Sequence, residues 1–335
     1  MQGSAIAFGS VEVAGFRAET QTGRAWSGLT WHDGSTPWLL GRASDYNDDP
    51  GGTYLSLTNL ATGASVTLPS FGLGDRFGAA ATFRPGEAVL TEGDSSVVCL
   101  LPPVPGTCVR SRPPERDPRA VWVSDSVWIS RDVHWITVRH YDGPTVTVRV
   151  FPLGWANRVL IAPGVGRVAF EHGKSPTNGI DATLVLDSRT GDTAYSIPRY
   201  GAVFGAAFTP DEARLVLAAG PGSSLGLNYP DTLLVVDAVT GTRLAARALP
   251  GSFMAGAIAM DPAAPLAYIT GVDSTQHPRV LILDLATYAW VGAPRARALA
   301  HLPWSTSAIV DRNRGTLHAI EPYTSDFQFE LLPVP

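Results

Sequence analysis

The chain has 335 residues, carries a net charge of −5, and is 45% hydrophobic but only 16% charged. A nucleic-acid-binding surface needs clustered lysine and arginine. This sequence has one lysine, Lys174, and no run of like charge, so we expect no nucleic-acid partner. No apolar stretch reaches the length of a membrane span, so we also expect no membrane-spanning segment.

Short runs rich in Val, Leu, Ile and Thr, bounded by turn residues, predict β-strands along the whole chain. One turn phrase recurs between these runs, in which an Asp side chain can accept backbone N–H bonds and Gly supplies the positive φ of a hairpin. It reads DSRTG at 187–191 and DAVTG at 237–241, with weaker copies NLATG at 59–63 and DLATY at 284–288. A second phrase leads an apolar run into a proline turn, as in FTPD at 208–211.

In chain order, a predicted N-terminal strand at 5–13 belongs to no repeat. The first strands of seven repeats follow near Gly28, Ala79, Arg119, Arg158, Phe204, Ala255 and Ser307. The last repeat ends in one further apolar run at 327–332 and lacks a fourth strand. Pairing that run with 5–13 would complete the repeat and remove an exposed sheet edge.

Each repeat is predicted as four strands, A to D, with the proline turn between A and B, a longer loop between B and C, and the D-x-x-T-G turn between C and D. Steps of roughly 40 to 50 residues match the blades of a β-propeller. We therefore predict an all-β, seven-bladed β-propeller of four-stranded antiparallel blades. It forms a single domain over residues 1–335, and the N-terminal strand closes the ring on the C-terminal blade. A count of six or eight blades remains an alternative, because the repeat pattern is weak in repeats two to four.

The repeats resemble the YVTN/YncE-like class of seven-bladed propellers, whose units read V-I-D-x-x-T-G followed by S-P-D-G-x-x-L-Y-V. The likeness is clear over 53–85 and 183–283. The resemblance implies a fold and no particular activity, because that class includes binding proteins, scaffolds and enzymes.

The two cysteines, Cys99 and Cys108, flank a proline-rich segment in the C–D hairpin of the second repeat. A turn centred between them would place them opposite each other, about 4.5–5.5 Å apart, within the usual disulfide range of roughly 4.4–6.8 Å. We predict a disulfide, the alternative being two thiols. A disulfide implies an oxidising compartment and hence a secreted or periplasmic protein, with a cytoplasmic location left open.

The B–C and D–A loops of a propeller gather on one face, around the mouth of its channel. Several B–C loops here are long, at 43–52, 171–182, 220–231 and 271–278, and long loops on a rigid scaffold tend to carry binding residues. Aromatic side chains near the A strands would form an apolar cup, the usual composition of a small-molecule site. The predicted ligand-binding residues are Trp26, Phe77, Trp155, Phe204, Phe253, Trp304, Tyr46 and Tyr229. The alternative for each aromatic near an A strand is a wedge between neighbouring blades.

His277 and His301 belong to adjacent loops, with Asp273 nearby in sequence. A histidine with a carboxylate partner can act as general acid or base because its pKa lies near neutrality. Asp273, His277 and His301 are therefore the candidate catalytic residues, the alternative being surface histidines in flexible loops.

Asp45, Asn47 and Asp49 concentrate oxygen ligands in one loop, which suits Ca²⁺, but they lack the EF-hand pattern. We favour a solvated acidic turn as the explanation for them. We expect no cofactor, with Ca²⁺ as the one weak candidate.

Three functions fit this sequence. The first is an extracytoplasmic propeller that binds a small-molecule or extended ligand in the aromatic cup. The second is an enzyme, a lyase, hydrolase or cyclase of a natural-product pathway, that uses the same cup with the histidine–carboxylate pair. The third is a protein-interaction scaffold. We expect a monomer with a small-molecule ligand.

Overall fold

The computed structural model describes residues 6–12, 26–33, 36–44, 53–62, 64–68, 77–81, 87–92, 95–100, 109–111, 120–122, 126–131, 135–152, 159–173, 180–198, 205–219, 232–249, 253–272, 278–291, 307–311, 316–320 and 326–333. Within these ranges every regular element is a β-strand. A search of the same ranges for a helix long and apolar enough to span a membrane finds none.

The strands are short, as their Val-, Leu- and Ile-rich runs predict. In chain order they are β1 (Ile6–Glu12), β2 (Trp26–Asp33), β3 (Thr36–Ser44), β4 (Thr53–Asn59), β5 (Ala64–Leu68), β6 (Phe77–Ala81), β7 (Glu87–Glu92), β8 (Ser95–Leu100), β9 (Val109–Ser111), β10 (Ala120–Trp122), β11 (Val127–Arg131), β12 (Trp135–Asp142), β13 (Thr145–Pro152), β14 (Val159–Ala162), β15 (Arg167–Gly173), β16 (Ile180–Asp187), β17 (Thr193–Pro198), β18 (Ala206–Phe208), β19 (Arg214–Ala219), β20 (Thr232–Asp237), β21 (Arg243–Ala248), β22 (Met254–Met260), β23 (Leu266–Val272), β24 (Pro278–Asp284), β25 (Ser307–Asp311), β26 (Thr316–Ile320) and β27 (Asp326–Pro333).

The described strands form seven sheets, and consecutive strands are neighbours in six of them. These six follow the orders β2-β3-β4-β5, β6-β7-β8-β9, β10-β11-β12-β13, β14-β15-β16-β17, β18-β19-β20-β21 and β22-β23-β24. The seventh has the order β1-β27-β26-β25. In it β1 runs antiparallel to β27, with Ile6 opposite Pro333 and Glu12 opposite Phe327. The pairing between the two ends of the chain that the sequence predicts is therefore present.

The first strand of each sheet lies where the repeat predicts it. Gly28, Ala79, Ala255 and Ser307 fall within β2, β6, β22 and β25. β10, β14 and β18 begin one or two residues after Arg119, Arg158 and Phe204.

The sheet β22-β23-β24 departs from the four-stranded prediction. After β24 the chain turns and makes an isolated bridge between Leu283 and Trp290, and the Val291 N–H donates to Ile282 at 2.9 Å. Residues 292–306 lie outside the described ranges. Within the described part, the chain after β24 therefore makes this bridge beside the sheet, and the sheet has three strands. The sequence continues with Gly292 and Pro294, which are poor residues for a strand.

Contacts divide the chain into two compact units, neither of which is a continuous segment. Unit 1 comprises Met1–Ser70, Phe204–Pro210 and Leu249–Pro335, and unit 2 comprises Phe71–Val203 and Asp211–Ala248. Each unit has a buried apolar cluster that joins two sheets.

In unit 2 the cluster joins the sheets β10–β13 and β14–β17. Its buried members are Val127, Ile129, Val138, Val168, Phe170, Leu184 and Leu186. Phe151 packs at its edge, with its ring centroid 5.6 Å from that of Phe170. Burying these branched and aromatic side chains between two sheets is the main favourable contribution to such packing.

In unit 1 the cluster joins the sheet β22-β23-β24 to β25 and β26. Its members are Ala259, Tyr268, Val280, Ile282, Val310 and Leu317. The first strands of neighbouring sheets in this unit lie beside each other, since β22 contacts β25 and β25 contacts β2. The segments that enter these first strands therefore belong to adjacent sheets.

Candidate functional site

The two ends of each sheet differ in the length of their connections. Successive antiparallel strands reverse direction, so the first-to-second and third-to-fourth turns share one end, here called the turn end. The second-to-third connections and the segments entering the first strands share the other, here called the loop end. Turn-end connections are mostly tight, at 143–144, 163–166, 188–192 and 238–242. Loop-end connections reach greater lengths, at 45–52, 174–179 and 220–231, although 93–94 and 132–134 are short.

The candidate catalytic residues Asp273, His277 and His301 lie outside the described residues. Their flanking strands nevertheless fix which connections they occupy. Asp273 and His277 belong to the connection between β23 and β24, and His301 belongs to the segment that enters β25. These connections leave the loop ends of two adjacent sheets of unit 1.

The aromatic residues predicted to bind ligand are described only in part. Trp26 opens β2 opposite Arg42, and Phe77 opens β6 opposite Glu92, so both stand at the loop end. Phe253, directly before β22, is buried with 3% of its surface exposed, which fits the packing role weighed beside the ligand role. Outside the described residues lie Trp155, Phe204, Trp304, Tyr46 and Tyr229. The ligand role of the set stays a prediction.

The weak Ca²⁺ candidates Asp45, Asn47 and Asp49 also lie outside the described residues. Among the residues that the structure does describe, no group of three or more His, Cys, Asp or Glu side chains could hold a metal ion.

Cys99 lies in β8, opposite Ala88 of β7, while Cys108 falls just before β9 and outside the described residues. The register between β8 and β9 pairs Ser96 with Ser111 and Val98 with Val109. Each step along β8 is matched by one step back along β9, so the next positions in this register are 99 and 108.

One further sequence motif lies in the connection between β19 and β20. GSSLG at 222–226 matches the G-x-S-x-G pattern. That pattern marks a nucleophile when the chain turns there from a strand into a helix. The described elements on either side are both strands, β19 and β20, so the expected context is missing from the described part, and the match carries no catalytic assignment.

Three of the recurrent turns at the turn end, at 187–191, 237–241 and 284–288, are described in full, and their Asp side chains organise them. In the turn after β20, the N–H groups of Val239 and Thr240 donate to the Asp237 carboxylate at 3.1 and 2.8 Å, and the Thr240 hydroxyl donates at 2.9 Å. The hydrogen bonds from the Thr240 backbone and side chain hold the pKa of Asp237 below its ordinary value of 3.8.

The weaker copy of this turn, after β24, follows the same plan. The Asp284 carboxylate accepts from Ala286 N–H at 2.7 Å and Thr287 N–H at 3.3 Å. Desolvation raises the pKa of Asp284, but the hydrogen bonds from Ala286 and Thr287 outweigh it, and the pKa lies below 3.8.

The last residue of the phrase adopts a left-handed backbone conformation. Gly191 and Gly241 have φ of +69° and +73°, and Tyr288 takes the corresponding position of the weaker copy with φ of +55°. A Cβ atom on Gly241 would lie 2.5 Å from the Tyr195 ring, and one on Gly191 would lie 2.9 Å from Val138. At the two faithful copies glycine is therefore required both by the backbone and by a side chain of the preceding sheet.

Side chains of the preceding sheet also donate to the carbonyl groups of these turns, which sequence reasoning did not foresee. The Tyr195 hydroxyl of β17 donates to Ala238 at 2.8 Å, and the Arg167 guanidinium of β15 donates to Val239 at 3.2 Å. One sheet earlier, Arg149 of β13 donates to Thr190 at 3.4 Å and forms an ion pair with Asp192. The turns therefore connect neighbouring sheets within unit 2.

Burial raises the pKa of Tyr195 to about 12. The positive charge of Arg167 lowers this pKa by a smaller amount, and the negative charge of Asp237 raises it further. The phenol therefore keeps its proton and remains a hydrogen-bond donor to the turn. Tyr195, Asp237 and Asp284, whose pKa values depart from their ordinary ones, all lie at turn ends, where they stabilise turns.

Comparison with known proteins gives a likeness in fold. No family model matches the chain, and no curated protein matches it. Among solved structures, a chain from a crystal structure of the mitotic checkpoint complex is similar, with a TM-score of 0.56 and 9% identity over 97% of this chain and 93% of that chain. Together with the antiparallel, mostly four-stranded sheets, this supports a β-propeller fold. At 9% identity the similarity supports the fold only. It does not support the YVTN/YncE-like class in particular.

Proposed function

We propose that the chain is a seven-bladed β-propeller that binds a small-molecule or extended ligand in an aromatic-lined cup at the loop end. The observation that carries the proposal is the contrast between the two ends of its sheets. Turn-end groups such as Tyr195 and Asp237 are engaged in hydrogen bonds that stabilise turns and connect sheets. The longest B–C connections leave from the opposite end, where binding residues are expected on a rigid scaffold.

The pairing of β1 with β27 supports the proposal that the ring is closed. In this arrangement the N-terminal strand supplies the fourth strand of the sheet that contains β25, β26 and β27. The register runs over all seven residues of β1. A paired β27 is no longer an exposed edge that could template association with another chain, so the pairing would stabilise a closed ring.

Unit 1 carries most of the predicted site. Within it are the aromatic residues Trp26, Tyr46, Phe204, Phe253 and Trp304, together with the candidate catalytic residues Asp273, His277 and His301. The connections that hold Asp273, His277 and Trp304 belong to adjacent sheets. We therefore place the core of the cup at the loop ends of β22–β24 and β25–β27, with Trp304 as its first residue to test.

The test begins with native mass spectrometry of the purified protein and a thermal-shift screen against a metabolite library. A bound or stabilising compound should lose affinity by roughly tenfold or more in Trp304→Ala, as for an aromatic anchor. The matched control is Leu244→Ala, an exposed apolar residue of β21 (43% exposed), which should bind as the wild type does. A compound that binds equally well to Trp304→Ala and Trp26→Ala would contradict the proposed cup.

Enzymatic use of the same cup is the second candidate, favoured by the placement of His277 and His301 on connections of adjacent sheets. A general acid–base pair there would suit a lyase, hydrolase or cyclase. Once a ligand is known, turnover should fall in His277→Ala and His301→Ala while binding persists. Unchanged turnover in both variants would leave binding alone as the function.

We infer further that Cys99 and Cys108 form a disulfide and that the protein works outside the cytoplasm. The register of β8 with β9 supports the bond, because one further step of the described pairing of Val98 with Val109 would bring positions 99 and 108 opposite each other. Stable disulfides of this kind are typical of oxidising compartments.

A further inference from the structure

The strand β22 contains a β-bulge close to the loop end of its sheet. Two of its residues, Gly256 and Ala257, stand opposite the single residue Thr270 of β23, and the pairing is regular on both sides of this point. Two pairs, the outer one Met254 with Val272, lie between the bulge and the loop end. A bulge bends its strand and increases the local twist, and bulges are frequent next to active sites.

The side chain of Thr270 holds this bulge. Thr270 is buried, with 2% of its surface exposed. Its hydroxyl accepts from the Ala257 N–H at 3.0 Å and donates to the Ala257 C=O at 3.1 Å. The extra residue of a bulge drops out of the strand ladder, and a buried backbone group that lacks a partner is costly. One hydroxyl therefore satisfies both backbone groups of Ala257.

The bulge is also enclosed by the neighbouring sheet of unit 1. β18 contacts β22, and Gly205, directly before β18, is buried against the bulge. A Cβ atom on Gly205 would overlap the carbonyl oxygen of Gly256 and would lie 3.0 Å from Cγ1 of Ile258. Thr270 in its own sheet and the Gly205 backbone in the next therefore fix the geometry of the bulge from two directions.

The bulge decides which face of the sheet the residues on its loop-end side occupy. Side chains alternate along a strand, so a slip by one residue moves them to the opposite face. Ala255 and, directly before the strand, Phe253 are both buried. Loss of the bulge would turn Ala255 to the other face and displace Phe253. It would also shift the end of β22 against the end of β23, where the connection at 273–277 leaves the sheet.

A second bulge stands at the corresponding place in β2. Between Trp26 and Leu29 the register with β3 shifts, and two residues of β2 stand opposite Gly41. Among the other first strands whose register is described, β6, β10, β14 and β25 pair without a shift. β2 and β22 both contact β25, and all three belong to unit 1. The described bulges therefore occur in the two first strands that contact β25, whose entering segment carries Trp304.

We propose that Thr270 is a positioning residue of the ligand site. Its hydroxyl fixes the bulge in β22, and the bulge sets the direction in which β22 and β23 end at the loop end of unit 1. The inference rests on the proposed function, because it gives Thr270 a role in that same site. Thr270 acts through the backbone of Ala257 rather than by contact with the ligand, since it is buried two residue pairs from the loop end.

The first measurement is hydrogen–deuterium exchange of the full chain, which needs no ligand. Thr270→Val removes the hydroxyl at nearly constant volume, and residues 254–260 should then exchange roughly tenfold faster, because a buried donor loses its acceptor. Thr270→Ser keeps the hydroxyl and should exchange like the wild type. The matched control Thr209→Val changes a buried threonine at the turn end (5% exposed) and should leave residues 254–260 unaffected. Unchanged exchange in Thr270→Val would overturn the proposal.

The second measurement is binding of 8-anilinonaphthalene-1-sulfonate, a fluorescent probe of exposed apolar surface. Trp304→Ala tests the cup itself and should weaken probe binding roughly tenfold, as for an aromatic anchor. Thr270→Val should weaken it to a similar degree, whereas Thr270→Ser and Thr209→Val should bind the probe like the wild type. Circular dichroism checks that each variant is folded, and Thr270→Ala takes the place of Thr270→Val if the latter does not fold.

The outcomes separate the positioning role from the proposed function. If Trp304→Ala weakens probe binding and Thr270→Val does not, the positioning role is overturned and the cup stands. Absence of probe binding that depends on Trp304 would contradict the cup and, with it, the positioning role. Equal losses in Thr270→Val and Thr209→Val would show an effect of stability alone and overturn the proposal. Weak binding by Thr270→Ser would overturn it too, because the hydroxyl would then not be the group that matters.

Discussion

Gly241 closes its turn under two separate constraints. Its φ of +73° lies in the left-handed region, which costs a residue with a Cβ atom roughly 1–2 kcal/mol. The space where that Cβ would stand is filled by the Tyr195 ring, 2.5 Å away. Gly143 satisfies only the first constraint, because its φ is +56° and a Cβ there would meet nothing within 4 Å. The two glycines therefore separate backbone strain from crowding.

We expect Gly241→Ala to lower the free energy of unfolding by about 2–3 kcal/mol, since strain and crowding add. Gly143→Ala should cost only about 1 kcal/mol, from strain alone. Urea titrations followed by tryptophan fluorescence measure both values. Equal losses in the two variants would show that the Tyr195 ring does not constrain the turn.

Tyr195 makes stability depend on pH in the alkaline range. Its pKa is raised from 10.0 to about 12, so the folded state holds the proton more tightly than the unfolded state does. The resulting stability is complete below pH 10 and is lost as the pH rises from 10 toward 12.

The variant Tyr195→Phe should be less stable at neutral pH by about 1 kcal/mol, the typical contribution of one hydrogen bond. Its free energy of unfolding should also fall less than that of the wild type between pH 10 and pH 12. Taking the difference between the two proteins cancels the titration of the other tyrosines. Parallel pH profiles would contradict the assigned role of the phenol.

At the scale of elements, the sequence predicts strands well because two signals agree. Alternating Val, Leu and Ile runs predict the strands, and the Asp and Gly of each phrase predict the turns between them. The turn after β24 shows why the agreement has limits. Tyr288 stands where the phrase has Gly, yet it adopts the same left-handed conformation, with φ of +55°. The local hydrogen bonds of Asp284 therefore suffice to form the turn despite the strain.

Other features depend on tertiary packing and have no local signal. The donation from Tyr195 to Ala238 joins residues far apart in sequence, and the burial of Phe253 depends on what packs around it. The place of β13 as the last described strand of its sheet likewise has no local signal. The candidate site is harder still to predict from the sequence, because its residues belong to loops of unequal length that do not follow the repeat.

The hairpin of β8 and β9 carries the disulfide prediction. Peptide mapping without reductant should yield one cross-linked species that contains Cys99 and Cys108. Cys99→Ser should lower the free energy of unfolding by about 2–3 kcal/mol, the contribution of a bond that closes a short loop. The difference between variant and wild type should disappear in the presence of reductant. Complete alkylation of both thiols in the untreated native protein would rule out the bond.

At the scale of the whole molecule, the described contacts that stabilise the turns and the proposed ligand site lie at opposite ends of the sheets. The turns that repeat most faithfully connect sheets, as the contacts of Tyr195, Arg167 and Arg149 show. The segments that vary most leave from the loop ends, where a change in length or composition does not disturb those contacts. A ligand site at the loop ends of unit 1 could therefore diversify while the turns remained the same.

Hydrogen–deuterium exchange with and without the identified ligand tests the central claim most directly, that the ligand binds at the loop end. We expect ligand-dependent protection in peptides that cover residues 45–52, 273–277 and 292–306. Exchange in the turn at 238–242 should be unchanged. Protection confined to the recurrent turns, with the three loop-end segments unaffected, would contradict the claim.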